Sequence, residues 1–296
     1  MTTVPPYRFF PVEVRELTRL SPSFLRVTFT GTDLDTFADN GRDQRIKLVF
    51  PAPDGGFGDL PDGPDWYPHW QSLPERRQPP LRTYTVRAVR PERCEVDVDM
   101  VRHGEGGPAT RWADRVRRGD PLVLLGPDAR FDGDHGGITF RPHRPDTPLL
   151  LAGDETAVPA IASILAGLPP TARGEALLEV PHIADAVPVD APPGLTVLWL
   201  ARRGAGRGAF LVPAVTTALA RLAAASDPTM VGDGDGDDIL WEVPETPPAT
   251  TRLYAWLAGE AGVIRLLRRR LVTEHGVDRR AVAFMGYWRL GRAEPT

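Results

Sequence analysis

Apolar and polar residues alternate over short runs in the first half of the chain, a pattern typical of half-buried β-strands. Val96, Val98 and Met100, for example, fall on one face of such a run. Turns rich in Gly, Pro and Asp separate the runs, which span 11–20, 24–31, 44–50, 81–89, 93–101 and 121–127. Short strands with this spacing predict a barrel or sandwich. A helix is predicted at 108–119, since proline suits its first turn and glycine suits its stop.

In the second half, compact apolar runs alternate with stretches of helical periodicity. The apolar runs are 148–153, 175–180, 195–201, 252–259 and 281–289, and the longest helical stretches are 209–225 and 261–276. Strands that alternate with helices indicate parallel βαβ units and an open, doubly wound α/β sheet. In such a sheet, ligands bind beyond the carboxyl ends of the strands.

Length and turn composition divide the chain into two domains. At about 150 residues per domain, 296 residues predict two. We expect a β-barrel domain at 7–135 and an α/β domain at 146–292. Residues 127–147 are rich in Gly, Pro, Asp and Arg and would form the crossing between them.

The composition is that of a globular protein with a sizeable core, since 42% of the residues are hydrophobic and 25% are charged. A net charge of −4 argues against non-specific nucleic-acid binding. One cysteine excludes an intrachain disulfide framework and a multi-cysteine metal or iron–sulfur site. The longest apolar stretches are interrupted by charged residues, and the first residues lack a basic segment followed by an apolar run. We therefore expect no membrane span, no signal peptide and a cytoplasmic location.

An acidic segment at about 226–250 contains no basic residue. Its run of aspartates and glycines resembles a calcium loop, which needs glycine at position six and glutamate at position twelve. Counting from Asp233 gives Asp238 and Pro244 instead. We interpret the segment as a solvated loop without an assigned role.

The strand 81–89 carries the first candidate chemistry. Alternation puts Arg82 and Tyr84 on one face and Thr85 on the other. An arginine fork binds phosphate, and a tyrosine ring offers a plane on which a flat heterocycle can stack. Together they suit a ligand with a diphosphate and a large planar ring. The alternative is a surface arginine beside a half-buried barrel tyrosine.

The segment 101–113 follows a strand and leads into the predicted helix. Gly106 and Gly107 would let the backbone approach a ligand closely. Free N–H groups near Ala109 and Thr110 could bind an anion, although a plain Gly-Pro helix entry would look the same. His103 is either a ligand contact or an ordinary loop histidine.

Two strands of the second domain end in a similar way, at 151–160 and 256–262. The first occupies the place of a dinucleotide-binding loop without the usual G-x-G-x-x-G pattern. Both ends should line the rim of the sheet. Asp154 and Glu155 are either functional or simply polar rim residues.

These motifs occur together in a familiar order. The runs are "LRTYTVR", "VDMVRHGEGGPATRWA", "GDPLVLLGP", "LLAGDETAVPAI", "WLAGEAGVIRLLRRRL" and "GYWRLG". Because these runs occur in this order, the chain resembles the siderophore-interacting protein family. Members of that family are flavin-dependent ferric-siderophore reductases related to the ferredoxin reductases. The resemblance covers residues 7 to 292 and is more specific than any single motif.

The resemblance implies a six-stranded antiparallel FAD-binding barrel followed by a nicotinamide-nucleotide domain. Arg82 would then contact the diphosphate, Tyr84 the flavin, and Thr85 its polar edge. The other cofactor-binding candidates are Thr83, His103, Gly106, Gly107, Ala109, Thr110, Asp154, Thr156, Ala157, Gly259 and Glu260. Basic residues are implied around the siderophore, and the candidates are Lys47, Arg130 and Arg289. Lys47 is the only lysine of the chain and falls in a family lysine position.

The implied activity is a cytoplasmic, monomeric reductase that takes hydride from NADH or NADPH to FAD and passes electrons to a ferric siderophore. The flavin would carry the chemistry, so no catalytic side chain and no protein metal site are expected. Two alternatives are a general NAD(P)H:flavin or electron-carrier reductase of this fold, and a siderophore carrier without redox function. The nucleotide stays open. Glu179 or Asp185 would favour NADH. Arg202, Arg203 and Arg207 either favour NADPH or belong to a solvated loop rich in arginine.

Overall fold

The computed structural model of the chain describes residues 4–53, 56–57, 60–61, 63, 65–102, 107–222, 241–245 and 251–291. The cofactor candidates His103 and Gly106, and most of the acidic segment, lie outside the described residues. The chain divides between Gly137 and Ile138 into two compact units. Within the described residues, no helix combines the length and the apolar character that crossing a membrane requires.

The first unit is a closed barrel of six strands. The strands are β1 (Tyr7–Arg19), β2 (Phe24–Thr30), β3 (Arg45–Val49), β4 (Leu81–Arg90), β5 (Glu95–Val101) and β6 (Pro121–Pro127). Their order around the barrel is β1-β2-β5-β4-β3-β6, and every neighbouring pair is antiparallel. Of the barrel and the sandwich that alternation left open, the structure has the barrel, and the six antiparallel strands that the family resemblance implies are confirmed.

Alternation along the strands fills the interior of the barrel. Phe10, Leu48 and Leu124 are completely buried there, and burying one such side chain stabilises the fold by about 1.5–3 kcal/mol. The polar positions of β5 are also buried, because arginines from neighbouring strands cover their carboxylates. Arg26 and Asp99, for example, form an ion pair with a distance of 2.7 Å between Nε and Oδ1.

Two short helices accompany the barrel, α1 (Trp66–Ser72) and α2 (Pro108–Ala113). α2 starts at Pro108 as predicted, but the predicted end at Gly119 is wrong. The chain rejoins the barrel sooner, because the amide of Gly119 donates to the Val14 carbonyl at 2.8 Å. Those backbone bonds to β1 cannot form while the helix continues.

The second unit contains a six-stranded sheet with the order β10-β12-β11-β7-β8-β9. The strands are β7 (Leu149–Gly153), β8 (Arg173–Val180), β9 (Gly194–Ala201), β10 (Trp241–Glu242), β11 (Tyr254–Glu260) and β12 (Val282–Trp288). All pair in parallel except β10, which is antiparallel to β12. The predicted doubly wound sheet is confirmed. The loop predicted for the whole acidic segment is wrong at β10, whose two residues extend the edge of the sheet.

Three helices connect these strands: α3 (Val158–Ala166), α4 (Leu211–Leu222) and α5 (Ala261–Arg268). α5 continues as a π-helical segment at Arg269–Glu274. The core of this unit forms where α4 and α5 pack on the sheet, with Leu177, Leu257 and Phe284 among its buried residues.

The strand order reverses between β7 and β11. From β7 the chain moves outward through β8 to β9; on the other side of β7 lie β11, then β12, and β10 at the edge. The loops that follow β7 and β11 therefore leave in opposite directions. A crevice beyond the carboxyl ends of two such strands is where ligands bind in open α/β sheets.

Candidate functional site

In the barrel, β4 and β5 pair over only part of their length. Their ladder runs from Val86 to Arg90 of β4 and is interrupted by a bulge after Val86. Among the described strands, Leu81–Thr85 of β4 pairs with β3 alone. The facing residues of β5, Asp99–Val101, pair with β2. The barrel therefore presents an open backbone edge, which we define as Leu81–Thr85 and call the β4 edge.

Alternate residues direct their backbone groups at the β4 edge. The amide of Val86 donates to the Gln44 carbonyl at 2.9 Å, which fixes the phase of the β3–β4 ladder. Because hydrogen-bonded and non-hydrogen-bonded pairs alternate, even-numbered residues of β4 point their N–H and C=O groups at β3. The groups of Leu81, Thr83 and Thr85 then point away from β3. A ligand along the edge would meet a row of amide donors and carbonyl acceptors.

Arg82 and Tyr84 share the inner face of β4, as alternation predicts. They lie opposite Leu48 and Ile46, which belong to the barrel core. Tyr84 is half-buried against that core. The Arg82 guanidinium donates from Nη1 to the Leu81 carbonyl at 2.7 Å. A guanidinium and an aromatic ring thus lie next to the open backbone groups.

The outer face of β4 carries the two threonines. Thr85 is buried, whereas Thr83 is exposed. Thr83 lies opposite Lys47 of β3 and accepts a hydrogen bond of 2.6 Å from its Nζ to Oγ1. The lysine is exposed, so its charge lies on the barrel surface beside the β4 edge.

α2 is anchored to the barrel by its aromatic residue. Trp112 stacks on Phe29, with 6.2 Å between the ring centroids. This packing buries Ala109 and Thr110. The helix begins directly after Gly107. Since the helix has only six residues, an anion at its start would depend on individual N–H groups more than on a helix dipole.

In the second unit, Asp154 joins the ends of three strands. It follows β7 and accepts hydrogen bonds through Oδ2 from the Glu260 amide of β11 at 2.7 Å and the Trp288 indole of β12 at 3.0 Å. Its Oδ1 accepts from the Thr156 amide at 2.9 Å and from the Thr156 hydroxyl at 2.5 Å. These four donors occupy the acceptor positions of the carboxylate.

The environment of Asp154 changes its acidity. Burial, and after it the negative charge of Glu155, raise the pKa of Asp154 from 3.8 to about 6. The hydrogen bonds from Thr156 and Trp288 act in the opposite direction. The carboxylate is therefore ionised at neutral pH and takes up a proton in mildly acidic solution.

The glycine and the glutamate at the end of β11 have structural partners. Gly259 has a φ of +148°, and a Cβ there would approach Oδ2 of Asp154 to 2.7 Å. The carboxylate of Glu260 caps α5 by accepting from the Val263 amide at 3.0 Å. On the other side of Asp154, Ala157 is buried at the start of α3. The cofactor-binding roles predicted for these residues stay predictions.

A buried ion-pair network lies beneath the ends of β7, β8 and β9. Arg202 binds Glu155 in bidentate fashion at 2.6 and 2.8 Å and lies 3.4 Å from Glu179. Glu179 accepts three further backbone bonds from the residues that lead into α4, Gly208, Phe210 and Leu211. Both glutamates and the arginine are buried. The network links the ends of these three strands to one another.

Arg207 covers Trp288, with its guanidinium carbon 4.6 Å from the centroid of the indole ring. A shallow depression beside them has an apolar floor that includes Leu211, Ala258 and Val263. Asp154 and Glu260 also line this depression. It lies at the reversal of strand order, where a ligand of the second unit is expected.

The remaining basic candidates differ in their surroundings. Arg130 pairs with the buried Asp128 at 2.6 Å between Nη2 and Oδ2. The hydrogen bond from Arg130 lowers the pKa of Asp128. Arg289 directly follows β12 in the second unit and is half-buried. Lys47 is exposed and lies opposite Thr83 of the β4 edge.

Family models account for both units. Residues 13–131 match the model of the siderophore-interacting FAD-binding domain, and residues 147–291 match that of the siderophore-interacting protein. The chain belongs to the siderophore-interacting protein family. Its first unit is accordingly the FAD-binding domain of that family, and the family expected from the sequence is confirmed.

Several known proteins are similar over almost the whole chain. An uncharacterized protein of Mycobacterium tuberculosis is 36% identical over 285 residues, which is 95% of this chain and 90% of the relative. The ferric vibriobactin reductase ViuB of Vibrio cholerae is 31% identical over 282 residues, 93% of this chain and 87% of the relative. The crystal structure of a siderophore utilization protein from T. fusca is 28% identical, with a TM-score of 0.71 and coverage of 98% of this chain and 96% of that one.

Sequence reasoning missed two features of this siderophore-interacting protein. It identified Arg82 and Tyr84 but did not predict the β4 edge beside them. The pairing of β4 with β5 stops at a bulge, and alternation of apolar and polar residues does not reveal a bulge. Sequence reasoning also offered Glu179 and Arg202 as alternatives for nucleotide recognition and did not find the ion-pair network in which both are buried. Their position at the ends of apolar strands was the signal that the sequence offered.

Proposed function

We propose that this protein reduces ferric siderophores in the cytoplasm with electrons from NAD(P)H carried by a bound flavin. Its family and its similarity to a protein named as a ferric vibriobactin reductase support this function. The observation that carries the proposal is the β4 edge, which lies within the segment matched by the FAD-binding domain model. When bound, FAD would take two electrons as a hydride and can release them singly, one to each of two ferric ions.

The residues at the β4 edge suit a flavin dinucleotide. The Arg82 fork matches the oxygens of a diphosphate. The Tyr84 ring offers a plane for the flavin, held in place by its packing against the barrel core. The backbone groups of Thr83 and Thr85 would bond the polar edge of the ring. Gly107 would allow a close approach of the diphosphate to the chain.

The ferric chelate would bind through charge. Siderophores commonly present hard oxygen donors, and such a complex often carries negative charge. The exposed Lys47 would attract it to the barrel surface. Oxygen ligands hold ferric iron more strongly than ferrous iron, so reduction loosens the metal without any protein ligand.

The second unit would hold the nicotinamide nucleotide beyond the ends of β7 and β11. Asp154 would position this region, since it fixes the indole of Trp288 and the backbone of Glu260. The depression beside Arg207 would exclude water from part of the nucleotide through its apolar floor. Asp154 here acts through other groups and is a positioning residue.

An anaerobic absorption spectrum of the purified, FAD-loaded protein tests the function. We expect flavin bands that bleach on addition of NADH or NADPH. Adding a ferric siderophore with a ferrous-specific chelator should restore the bands while ferrous complex forms, because electrons pass to the iron. The amount of ferrous complex should approach two per nucleotide oxidised.

Two results would contradict the proposal. Equal turnover with free flavin and no preference for siderophore iron would favour a general flavin reductase of the same fold. A protein that binds a ferric siderophore but no FAD would favour a carrier without redox function. Buffer with free FAD and nucleotide, but without protein, serves as the control for uncatalysed reduction.

A further inference from the structure

The ends of β8 and β9 are where an α/β sheet distinguishes NADH from NADPH. In dinucleotide folds, an acidic residue after the second strand bonds the ribose hydroxyls of NADH, and an arginine nearby accommodates the 2′-phosphate of NADPH. β8 is the second strand of this sheet in chain order. The charged residues that follow β8 and β9 therefore decide the choice.

The acidic residues at this place are already engaged. Glu179 is completely buried and accepts backbone bonds of 2.8, 3.1 and 3.0 Å in addition to its contact with Arg202. Four donors occupy the lone pairs of a carboxylate, so no acceptor is left for ribose hydroxyls. Asp185 is also completely buried and accepts a bond from the His182 amide at 3.2 Å. Neither can serve NADH without breaking the fold around it.

Two of the three arginines at the end of β9 are engaged as well. Arg202 is buried in its bidentate pair with Glu155. Arg207 lies over Trp288 and 3.8 Å from Glu155, on the side of β7 and β12. Arg203 is exposed. Its amide donates to the Pro181 carbonyl at 3.1 Å, which puts it directly beside the segment that leaves β8.

The backbone at Arg203 runs against local preference. Arg203 has a φ of +52° and Gly204 a φ of +90°. The Ala205 amide donates to the Arg202 carbonyl at 3.0 Å, which closes a turn with both central residues in the left-handed region. Such turns favour Asn, Asp or Gly at the first central position. An arginine there holds a backbone conformation that side chains other than Gly, Asn and Asp rarely adopt.

From these observations we infer that Arg203 is the specificity-determining residue that binds the 2′-phosphate of NADPH. The inference rests on the proposed function, since it names the nucleotide that the reductase uses. The guanidinium fork suits a phosphate dianion. Arg203 is exposed and lies beside the segment that leaves β8, where the ribose is expected. The protein therefore selects NADPH over NADH.

The test uses nucleotide fragments, whose binding needs no turnover. The Kd values of 2′,5′-ADP and 5′-AMP are measured by calorimetry on the FAD-loaded full chain. We expect the wild type to bind 2′,5′-ADP about 10- to 100-fold more tightly, the range for charge-assisted hydrogen bonds. Arg203→Asn should reduce this preference to about 3-fold or less, with unchanged 5′-AMP binding. Since asparagine suits the left-handed turn, the variant should melt at the same or a higher temperature.

A matched control exists in the barrel. Arg42 is an exposed arginine with a φ of +53°, so Arg42→Asn makes the same chemical change in the same backbone conformation. It should leave the preference for 2′,5′-ADP intact. Arg203→Glu, which reverses the charge, should make 2′,5′-ADP the weaker ligand.

The outcomes separate this inference from the proposed function. A wild type without preference for 2′,5′-ADP, or an Arg203→Asn variant that keeps it, overturns the role of Arg203. A preference for 2′,5′-ADP in a protein that reduces no ferric siderophore supports Arg203 and contradicts the proposed reductase. Siderophore reduction that proceeds with NADH alone does the reverse.

Discussion

The carboxylate of Asp154 both titrates and holds the backbone at the ends of β7 and β11. Its four hydrogen bonds hold Thr156, Glu260 and Trp288, and its pKa is raised to about 6 by burial and by Glu155. Because this value exceeds that of the unfolded chain, the folded protein binds the proton more tightly. The contribution of Asp154 to stability is therefore greatest below pH 3.8 and is lost as the pH rises through about 6.

Asp154→Asn should remove this pH dependence. The amide cannot titrate, and its NH₂ group would face N–H donors, so the variant should be less stable at every pH. The stability advantage of the wild type should shrink by up to about 3 kcal/mol between about pH 4 and pH 7. Calorimetric unfolding of both proteins across this range measures the difference. A constant difference would contradict the assigned titration.

Asp278 provides a control of opposite sign. Its hydrogen bond from Arg280 lowers the pKa of its carboxyl. The folded state therefore favours the ionised form, and its contribution is lost as the pH falls. For Asp278→Asn, the stability advantage of the wild type should grow with pH over the acidic range.

Lys47 is the residue on which the proposed binding of the chelate depends. Lys47→Ala should raise the KM for an anionic ferric siderophore about 3- to 10-fold, since an exposed charge contributes modestly. The effect should weaken with added salt. Steady-state kinetics of ferrous complex formation measures it. Lys47→Arg keeps the charge and should behave like the wild type, and FAD content should stay constant in both variants. An unchanged KM in Lys47→Ala would rule out this role.

At the scale of elements, successive residues of the β4 edge point their backbone groups in opposite directions. Even-numbered residues bond β3, whereas the groups of Thr83 and Thr85 point away from it. In FAD-free protein, the amides of Thr83 and Thr85 should exchange faster than that of Tyr84. FAD should slow these two amides selectively.

Hydrogen exchange with single-residue resolution measures this alternation. The paired strands β1 and β6 serve as the internal control, since their ladder spans Tyr7 to Glu13 and should not respond. Equal slowing of Thr83, Tyr84 and Thr85 would indicate general stiffening of the barrel. It would then speak against a ligand bonded along the β4 edge.

The same scale shows what the sequence could predict. Alternation predicted the barrel strands, and apolar runs between stretches of helical periodicity predicted the α/β unit, because both patterns are local in the sequence. The end of α2 was predicted too late, since backbone bonds between Gly119 and Val14 link residues far apart in the chain. β10 was missed because two residues are too few to show a period.

The candidate site was predictable in the same uneven way. Arg82 and Tyr84 follow from alternation within one strand. The engagement of Glu179 and Arg202 does not, because their partners are Gly208 and Glu155, on other elements. A charged side chain at a strand end either contacts a ligand or links parts of the fold. The sequence looks the same in both cases, and only the tertiary contacts distinguish them.

For the whole molecule, each unit has its own hydrophobic core and its own candidate ligand. Phe10 and Leu124 belong to the barrel core, and Leu257 and Phe284 to that of the sheet. A ligand that binds one folded unit stabilises it by mass action. FAD and the nucleotide should therefore protect different halves of the chain. Fold alone does not specify the reaction, so the family and the residues at each site carry the functional assignment.

The use of arginine in place of lysine leaves the protein with one side-chain amine. Guanidinium groups do not react with the activated esters that acylate amines, so such a reagent would modify a single side chain, the exposed Lys47. Apart from the α-amine at the N-terminus, which also reacts, a fluorophore or spin label could thus be attached at one defined side chain without altering the sequence. That point lies next to Thr83, so the label would report on events at the β4 edge.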